Sequence, residues 1–291
     1  MSTLEVITPG PLATIQDLGR SGYAHLGVPV SGAADLVSLR LSNRLVGNHE
    51  SAAVIETTLG GLRIRADRET IIAVTGAATR VMIDDAPIGL GVMATVKPGA
   101  ILSISAPTWG CRNYLAVRGG IDVPAVLGSR STDTLSGLGP PAIAAGDTLP
   151  VGNAASAWPA ATFAPVRTDH HHQVVELDAV TGPRHAHVVS HEILFTGVWE
   201  ASAEADRVGV RLVRPESSAA PLLEHRTELP ELLSEGVAHG SIQIPPGGRP
   251  VIFLADHPVT GGYPVVAVLT AAALSQAAQL VAGDLLRFRA R

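Results

Sequence analysis

Apolar and polar positions alternate in short runs along most of the chain, and turn residues interrupt them about every ten positions. TIIAVTG (70–76), VMIDD (81–85), ILSIS (101–105), NYLAVRGG (113–120) and PVIFLAD (250–256) are rich in β-branched residues and bounded by turn residues. This pattern predicts strands, and their spacing predicts an all-β fold with minor α content, a sandwich or a barrel. Helical periodicity is rarer. Residues 33–46 place Val37, Leu41 and Leu45 at i, i+4 and i+8, with Ser31 or Gly32 available as a cap and VGN as the stop. An alanine-rich stretch at 270–280 predicts a second helix, and ELPELLSEG (228–236) a single turn. PGAILSI (98–104), AGDTLPV (145–151) and AGDLLRF (282–288) repeat a glycine turn followed by an alternating strand. Residues 153–172 lose the pattern and become rich in Ala and Pro, so they predict a linker between domains at 1–152 and 173–291.

Composition narrows the function classes. The chain has 291 residues, 46% of them hydrophobic, enough for a substantial core. Its charged fraction is 16% and its net charge −5, which leaves no basic footprint for nucleic acid or anionic lipid. No apolar run reaches the roughly 20 residues of a membrane-spanning helix. One cysteine, Cys111, and an N-terminal stretch without a basic or apolar leader pattern point to a reducing cytoplasm. Lys97, the single lysine, sits in the turn-like VKPGA, so a phosphate-loop lysine, a Schiff base and covalent biotin on this chain are not expected.

Chemistry concentrates where glycine-rich polar breaks interrupt strong strand pattern. ADHPVTGGYP (255–264) packs Asp256, His257, Thr260, Gly261, Gly262 and Tyr263 between two apolar runs, and LAVRGGID (115–122) sets Arg118 beside Gly119 and Gly120. Adjacent glycines let backbone N–H groups approach a ligand, and Arg118 or Arg130 offers a planar donor fork for a carboxylate or carbamate. The same residues also suit plain turns and surface arginines. His170–172 point in different directions and lack a carboxylate or cysteine cluster, so no metal site is expected there. His185, His187 and His191 fit exposed strand positions. GSRSTDT (128–134) and LSEGVAHG (233–240) offer serine, acid and histidine without the Gly-x-Ser-x-Gly elbow, so Ser129 and Ser131 read as turn residues.

Long strings of the sequence resemble the biotin-dependent carboxyltransferase family. They include ATIQDLGRSGYAHLGVPVSGAAD, NYLAVRGGIDVPAVLGSRSTD, LLSEGVAHGSIQIPPGGRPVIFLADHPVTGGYP and AQLVAGDLLRF, and they run in order from Leu4 to Phe288. That family includes the C component of 5-oxoprolinase, the protein called allophanate hydrolase subunit 2, the antagonist of the Kip kinase inhibitor, and half of the urea amidolyase carboxyltransferase domain. The resemblance implies tandem cyclophilin-like β-barrel domains and a heteromeric partner, the B component of the enzyme, with the A component completing the complex. It implies hydrolysis of the small lactam 5-oxoproline to glutamate, with ATP used at the level of the complex. Carboxyl transfer from carboxybiotin, supplied by another chain, to urea or another amide is the alternative, and a regulatory protein that binds a kinase inhibitor is a third. For the lactam reaction, Arg118 and the backbone of Gly119, Gly120, Gly261 and Gly262 would stabilise developing negative charge. His257 or Glu235 would move protons, Gln243 and Tyr263 would orient the substrate, and Arg130 would contribute to binding.

Overall fold

The computed structural model describes residues 2–166 and 174–291, and the chain divides into two compact units. The first comprises residues 1–20, 31–133 and 137–171; the second takes 21–30, 134–136 and 172–291. The expected histidine triplet at 170–172 lies outside the described residues.

The first unit is built from β1 (Thr3–Pro9), β2 (Leu12–Gln16), α1 (Leu36–Leu45), β3 (Val54–Thr58), β4 (Leu62–Ala66), β5 (Thr70–Ala78), β6 (Val81–Ile83), β7 (Ala86–Ile88), β8 (Met93–Val96), β9 (Ile101–Ile104), β10 (Trp109–Val117) and β11 (Thr148–Pro150). These strands form a six-stranded sheet in the order β11-β1-β4-β9-β6-β7 and a five-stranded sheet in the order β2-β3-β10-β5-β8. Period-two patterning decides which face points inward. In β4, Leu62, Ile64 and Ala66 are buried while Arg63 and Arg65 are exposed. Both sheets contribute to one core, with Val6, Ile64 and Leu102 from one meeting Ile15, Ile55, Val74 and Leu115 from the other.

Strand β10 departs from simple alternation because both of its faces are covered. Leu115 and Val117 enter the shared core, whereas Tyr114 and Ala116 join Leu39 and Leu45 of α1 on the opposite face. Asp35 fixes where α1 begins, since its carboxylate accepts from the Ser38 N–H at 3.0 Å and the Ser38 hydroxyl at 2.7 Å. Residues 153–166, expected to be linker, are strapped to this unit instead. The N–H of His49 donates to the Ala154 carbonyl at 3.1 Å, that of Met93 to Thr162 at 2.7 Å and that of Ala164 to Gly91 at 2.8 Å. Loose composition therefore marks an irregular strap here, because its backbone groups find partners without forming a strand.

The second unit is a closed barrel. It comprises β12 (Val175–Thr181), β13 (Trp199–Ala205), β14 (Gly209–Val213), β16 (Ser241–Gln243), β17 (Val251–Phe253), β19 (Val265–Leu269) and β20 (Leu285–Ala290), in the ring order β12-β19-β16-β17-β14-β13-β20. Outside the ring, β15 (Glu235–Gly236) pairs antiparallel with β18 (Thr260–Gly261). Trp199, Leu212, Ile252, Val266, Leu286 and Phe288 fill the interior, and Ala273 and Ala277 of α2 (Ala271–Ala277) cover it. The ring closes by parallel pairing of β12 with β20. The fold is therefore mostly β in both units, as the strand pattern predicts.

Two local expectations are corrected. ELPELLSEG forms no helical turn, because Pro230 interrupts it and its last two residues become β15. His185, His187 and His191 sit on 3₁₀ turns, His185–His187 and His191–Phe195, and not on a strand. Ser129 closes the turn that begins at Val126, and both Ser129 and Ser131 are fully buried. Among the described residues no helix is long and apolar enough to cross a membrane.

Candidate functional site

The break after β17 is buried. Phe253 leads into Leu254, Ala255, Asp256 and His257, and all five are at most 8% exposed. Asp256 faces Arg207, which comes from the turn between β13 and β14. Arg207 Nε donates to Asp256 Oδ2 at 2.8 Å and Nη2 donates to Oδ1 at 3.0 Å, a two-pronged ion pair with both side chains at 1% exposure or less. The backbone locks the same pair, since the Asp256 N–H donates to the Arg207 carbonyl at 3.0 Å. Thr134 adds its N–H at 2.9 Å and its hydroxyl at 2.8 Å to Asp256 Oδ2. The carboxylate is thereby held in one orientation.

His257 follows directly. Its Nδ1 lies 2.8 Å from the Pro258 carbonyl, which can only accept, so Nδ1 carries the proton and Nε2 holds the lone pair in the neutral ring. The ring stacks on His239, with centroids 5.9 Å apart and planes 25° apart, and Phe253 lies 6.1 Å away. Burial, helped by the neighbouring His257 and Arg207, lowers the His239 pKa to about 4, with Asp256 opposing. His239 Nε2 is buried and has no hydrogen-bond partner among the described residues. Val237, Val251 and Phe253 supply an apolar lining. The arrangement places a neutral imidazole in a water-poor setting beside a fixed ion pair, a combination suited to proton transfer. A cleft of about 420 Å³ borders it, sharing Val251 and Phe253 and adding Glu204, Asp206 and Arg211.

The other expected residues of this unit gather nearby on the β15–β18 ladder. Glu235 pairs with Gly261, and Val237 continues the ladder by donating to the Val259 carbonyl at 2.9 Å. Glu235 is engaged by Arg184, whose Nη2 lies 2.6 Å and Nε 3.0 Å from Oε2. That hydrogen-bonded pairing holds its carboxyl below the usual range, so Glu235 serves as an anionic clamp and is poorly placed to exchange protons. Gln243 Nε2 donates to the Tyr263 carbonyl at 2.9 Å, while the Tyr263 side chain is largely exposed. Gly261 and Gly262 lie outside the left-handed region, so a positive φ does not explain either glycine.

Arg118, Gly119, Gly120 and Arg130 belong to the first unit, and several of their donors are engaged within it. Arg118 Nη1 donates to the carbonyls of Val46 at 2.7 Å and Ala157 at 3.0 Å, and its guanidinium lies 4.2 Å from the Trp158 ring centroid. The Gly119 N–H donates to Asn48 Oδ1 at 2.8 Å and the Gly120 N–H to the Val117 carbonyl at 2.8 Å. These two amides are therefore not free to receive a developing oxyanion. Gly119 has φ +103°, and a Cβ there would lie 2.3 Å from the Gly152 carbonyl oxygen, which explains the glycine by close backbone approach. Arg118 lines a cleft of about 510 Å³ with Glu69, Thr70, Asp122 and Asn153. Arg130 donates through Nε to the Val123 carbonyl at 2.7 Å and through Nη2 to Asp122 Oδ1 at 2.8 Å.

Sequence reasoning missed three groups. His239 and Arg207 are separated in the chain from the motif they join, and no local spacing announces them. Asp17 is the third. It is buried, and its Oδ1 receives the hydroxyls of Ser129 and Ser131, each at 2.6 Å, while Oδ2 receives the Arg130 N–H at 2.6 Å. Ser129 and Ser131 are thus partners of a buried carboxylate. Among the described residues, no group of three His, Cys, Asp or Glu side chains is set to hold a metal ion.

Comparisons with known proteins place this architecture. Residues 26–290 match the family described as carboxyltransferase domain, subdomain A and B. The C component of the Escherichia coli 5-oxoprolinase is 33% identical over 297 residues, covering 98% of this chain and 90% of that protein. Urea amidolyase of Lachancea kluyveri is 35% identical over 308 residues, which is 98% of this chain but 17% of that protein. The crystal structure of the K. lactis urea amidolyase superposes with a TM-score of 0.86 at 32% identity, over 98% of this chain and 18% of that one. With its mostly-β units and a match over nearly its whole length, the chain belongs to the carboxyltransferase domain family, subdomains A and B.

Proposed function

We propose that the chain acts as the C component of a multi-subunit, ATP-dependent 5-oxoprolinase, which opens the lactam of 5-oxoproline to glutamate together with its B and A components. The observation that carries this reading is the end-to-end match to a protein of that name, which spans 90% of the relative, whereas the urea amidolyase match spans 17%. Ring opening adds water to the lactam carbonyl and breaks the C–N bond, so charge develops on oxygen and the departing nitrogen takes up a proton. His257, with its Nε2 lone pair, and the neutral His239 are the proton-moving groups in this proposal. Gln243 and Tyr263 position the substrate, and the Arg207–Asp256 pair holds the break rigid. Arg118 contributes as a wall of its own cleft.

A second reading, carboxyl transfer to an amide nitrogen, draws on the 35% identity to urea amidolyase. It calls for carboxybiotin brought by another chain. The three copurified components supplied with 5-oxoproline and ATP should release glutamate. Carboxylation of urea by the same preparation with carboxybiotin, without glutamate release, would favour the second reading and remove the first.

A further inference from the structure

Arg20 lies four residues beyond the end of β2 and is 1% exposed. Among the described residues no carboxylate is paired with it. Its Nη2 donates to the Ser131 carbonyl, while its Nε and Nη1 are buried without a partner among the described residues. Asp17 makes no direct ion pair with it; the Asp17 oxygens receive two serine hydroxyls and the N–H groups of Gly19 and Arg130. The surroundings show the same shortfall. Gln16 Nε2 donates to the Thr132 carbonyl at 2.9 Å and Thr14 Oγ1 at 3.0 Å, leaving Oε1 buried and without a partner. The Thr132 hydroxyl is likewise buried and unpartnered. Thr132 and the two side chains that meet the Ser131 and Thr132 carbonyls, Arg20 and Gln16, therefore carry unused hydrogen-bonding capacity. A Cβ on Gly139 would lie 2.0 Å from the Ser131 oxygen and 3.0 Å from Arg20 Nη2, so glycine leaves this approach open.

A buried guanidinium with two nitrogens unpartnered and no directly bonded counter-ion is unfavourable, and the other unmatched buried polar atoms compound the cost. The inventory also states what would satisfy them. Arg20 requires an anion with acceptor oxygens, the Gln16 carbonyl oxygen requires a donor, and the Thr132 hydroxyl can serve either need. We propose that Arg20, Gln16 and Thr132 form a binding site for a small carboxylate-bearing anion that also carries one N–H or O–H donor. Hydrogencarbonate fits through its O–H, and 5-oxoproline through its lactam N–H. The hydrogencarbonate arm goes beyond the functional reading above, and the 5-oxoproline arm rests on it. Neutral urea supplies donors and an acceptor without the charge that Arg20 needs.

Titration calorimetry on the purified full chain tests the site, using sodium hydrogencarbonate, sodium 5-oxoproline and urea at constant chloride. At least one of the two anions should bind, and urea should not. Arg20→Met should weaken binding at least tenfold. Gln16→Glu should do the same, because it supplies the counter-charge from within. Both variants should melt at or above the wild-type temperature without ligand, since Arg20→Met removes the unpaired cation and Gln16→Glu pairs it. Anion binding by neither ligand, or retention of wild-type affinity in both variants, would overturn the site. Variants that melt lower while binding is unaffected would assign Arg20 to packing alone. Glutamate release by the assembled complex without anion binding here would reject the site and leave the functional reading standing.

Discussion

At the scale of single residues, the unusual chemistry lies around Asp256. His239 has its proton affinity lowered from the ordinary 6.5 to about 4 by burial. Between those pH values the unfolded chain binds a proton that the folded chain does not. The stabilisation is therefore fully present above pH 6.5 and is lost as pH falls toward 4, by about 3 kcal/mol in all. Urea denaturation at several pH values should show this slope in the wild type and a flatter one in His239→Gln. The Arg207–Asp256 pair is a different case, because removing one partner strands the other in the interior. Asp256→Asn or Arg207→Met should each cost about 3–5 kcal/mol, whereas the double variant should cost less than the sum. A double-mutant cycle measures this, and additive losses would mean the pair is not coupled. Asp256 and His257 were legible from sequence because a polar break inside strong strand pattern is conspicuous. Arg207 lies 49 positions away from Asp256, and only the register of β14 against β17 brings the two together.

Among the elements, glycine carries two different meanings. Gly99, Gly146 and Gly283 all have φ between +80° and +90°, and each lies two positions before the first residue of a strand, β9, β11 or β20. That is the turn-then-strand echo seen in the sequence, realised as left-handed turns. The adjacent pair in the β15–β18 region differs. A Cβ on Gly261 would sit 2.8 Å from Gln243 Nε2 and 3.3 Å from Val237 Cγ2, while Gly262 has only the Leu232 oxygen at 3.7 Å. Gly261→Val should displace Gln243 from the Tyr263 carbonyl and cost about 1–3 kcal/mol. Gly262→Ala should change stability by about 0.5 kcal/mol or less. Thermal melts of the two variants check the asymmetry, and equal losses would return both glycines to a common backbone role. Helices were readable to within a few residues, since α1 occupies Leu36–Leu45 inside the predicted 33–46 and α2 occupies Ala271–Ala277 inside 270–280. The 3₁₀ turns bearing His185, His187 and His191 were not, because turns this short leave no periodicity to detect.

For the whole molecule, the proposal of a composite enzyme makes the isolated chain inactive. Coexpression with the B component should give a complex that persists through size-exclusion chromatography and releases glutamate only when fully assembled; efficient turnover by the lone chain would reject the composite site. The strand-rich character was visible in the sequence as recurring turn signals. The assignment of residues 21–30 and 134–136 to the second unit was not, because such excursions depend on contacts far apart in the chain. The parallel seam between β12 and β20 has a consequence for biosynthesis. The first and last strands of the ring are neighbours, so the barrel cannot close until translation has delivered β20. Until then the nascent second unit exposes two unpaired strand edges, a template for intermolecular pairing. The closing strand therefore acts as a timer: a ribosome stalled before Leu285 would hold an aggregation-prone open sheet, and chaperone engagement should concentrate in that interval.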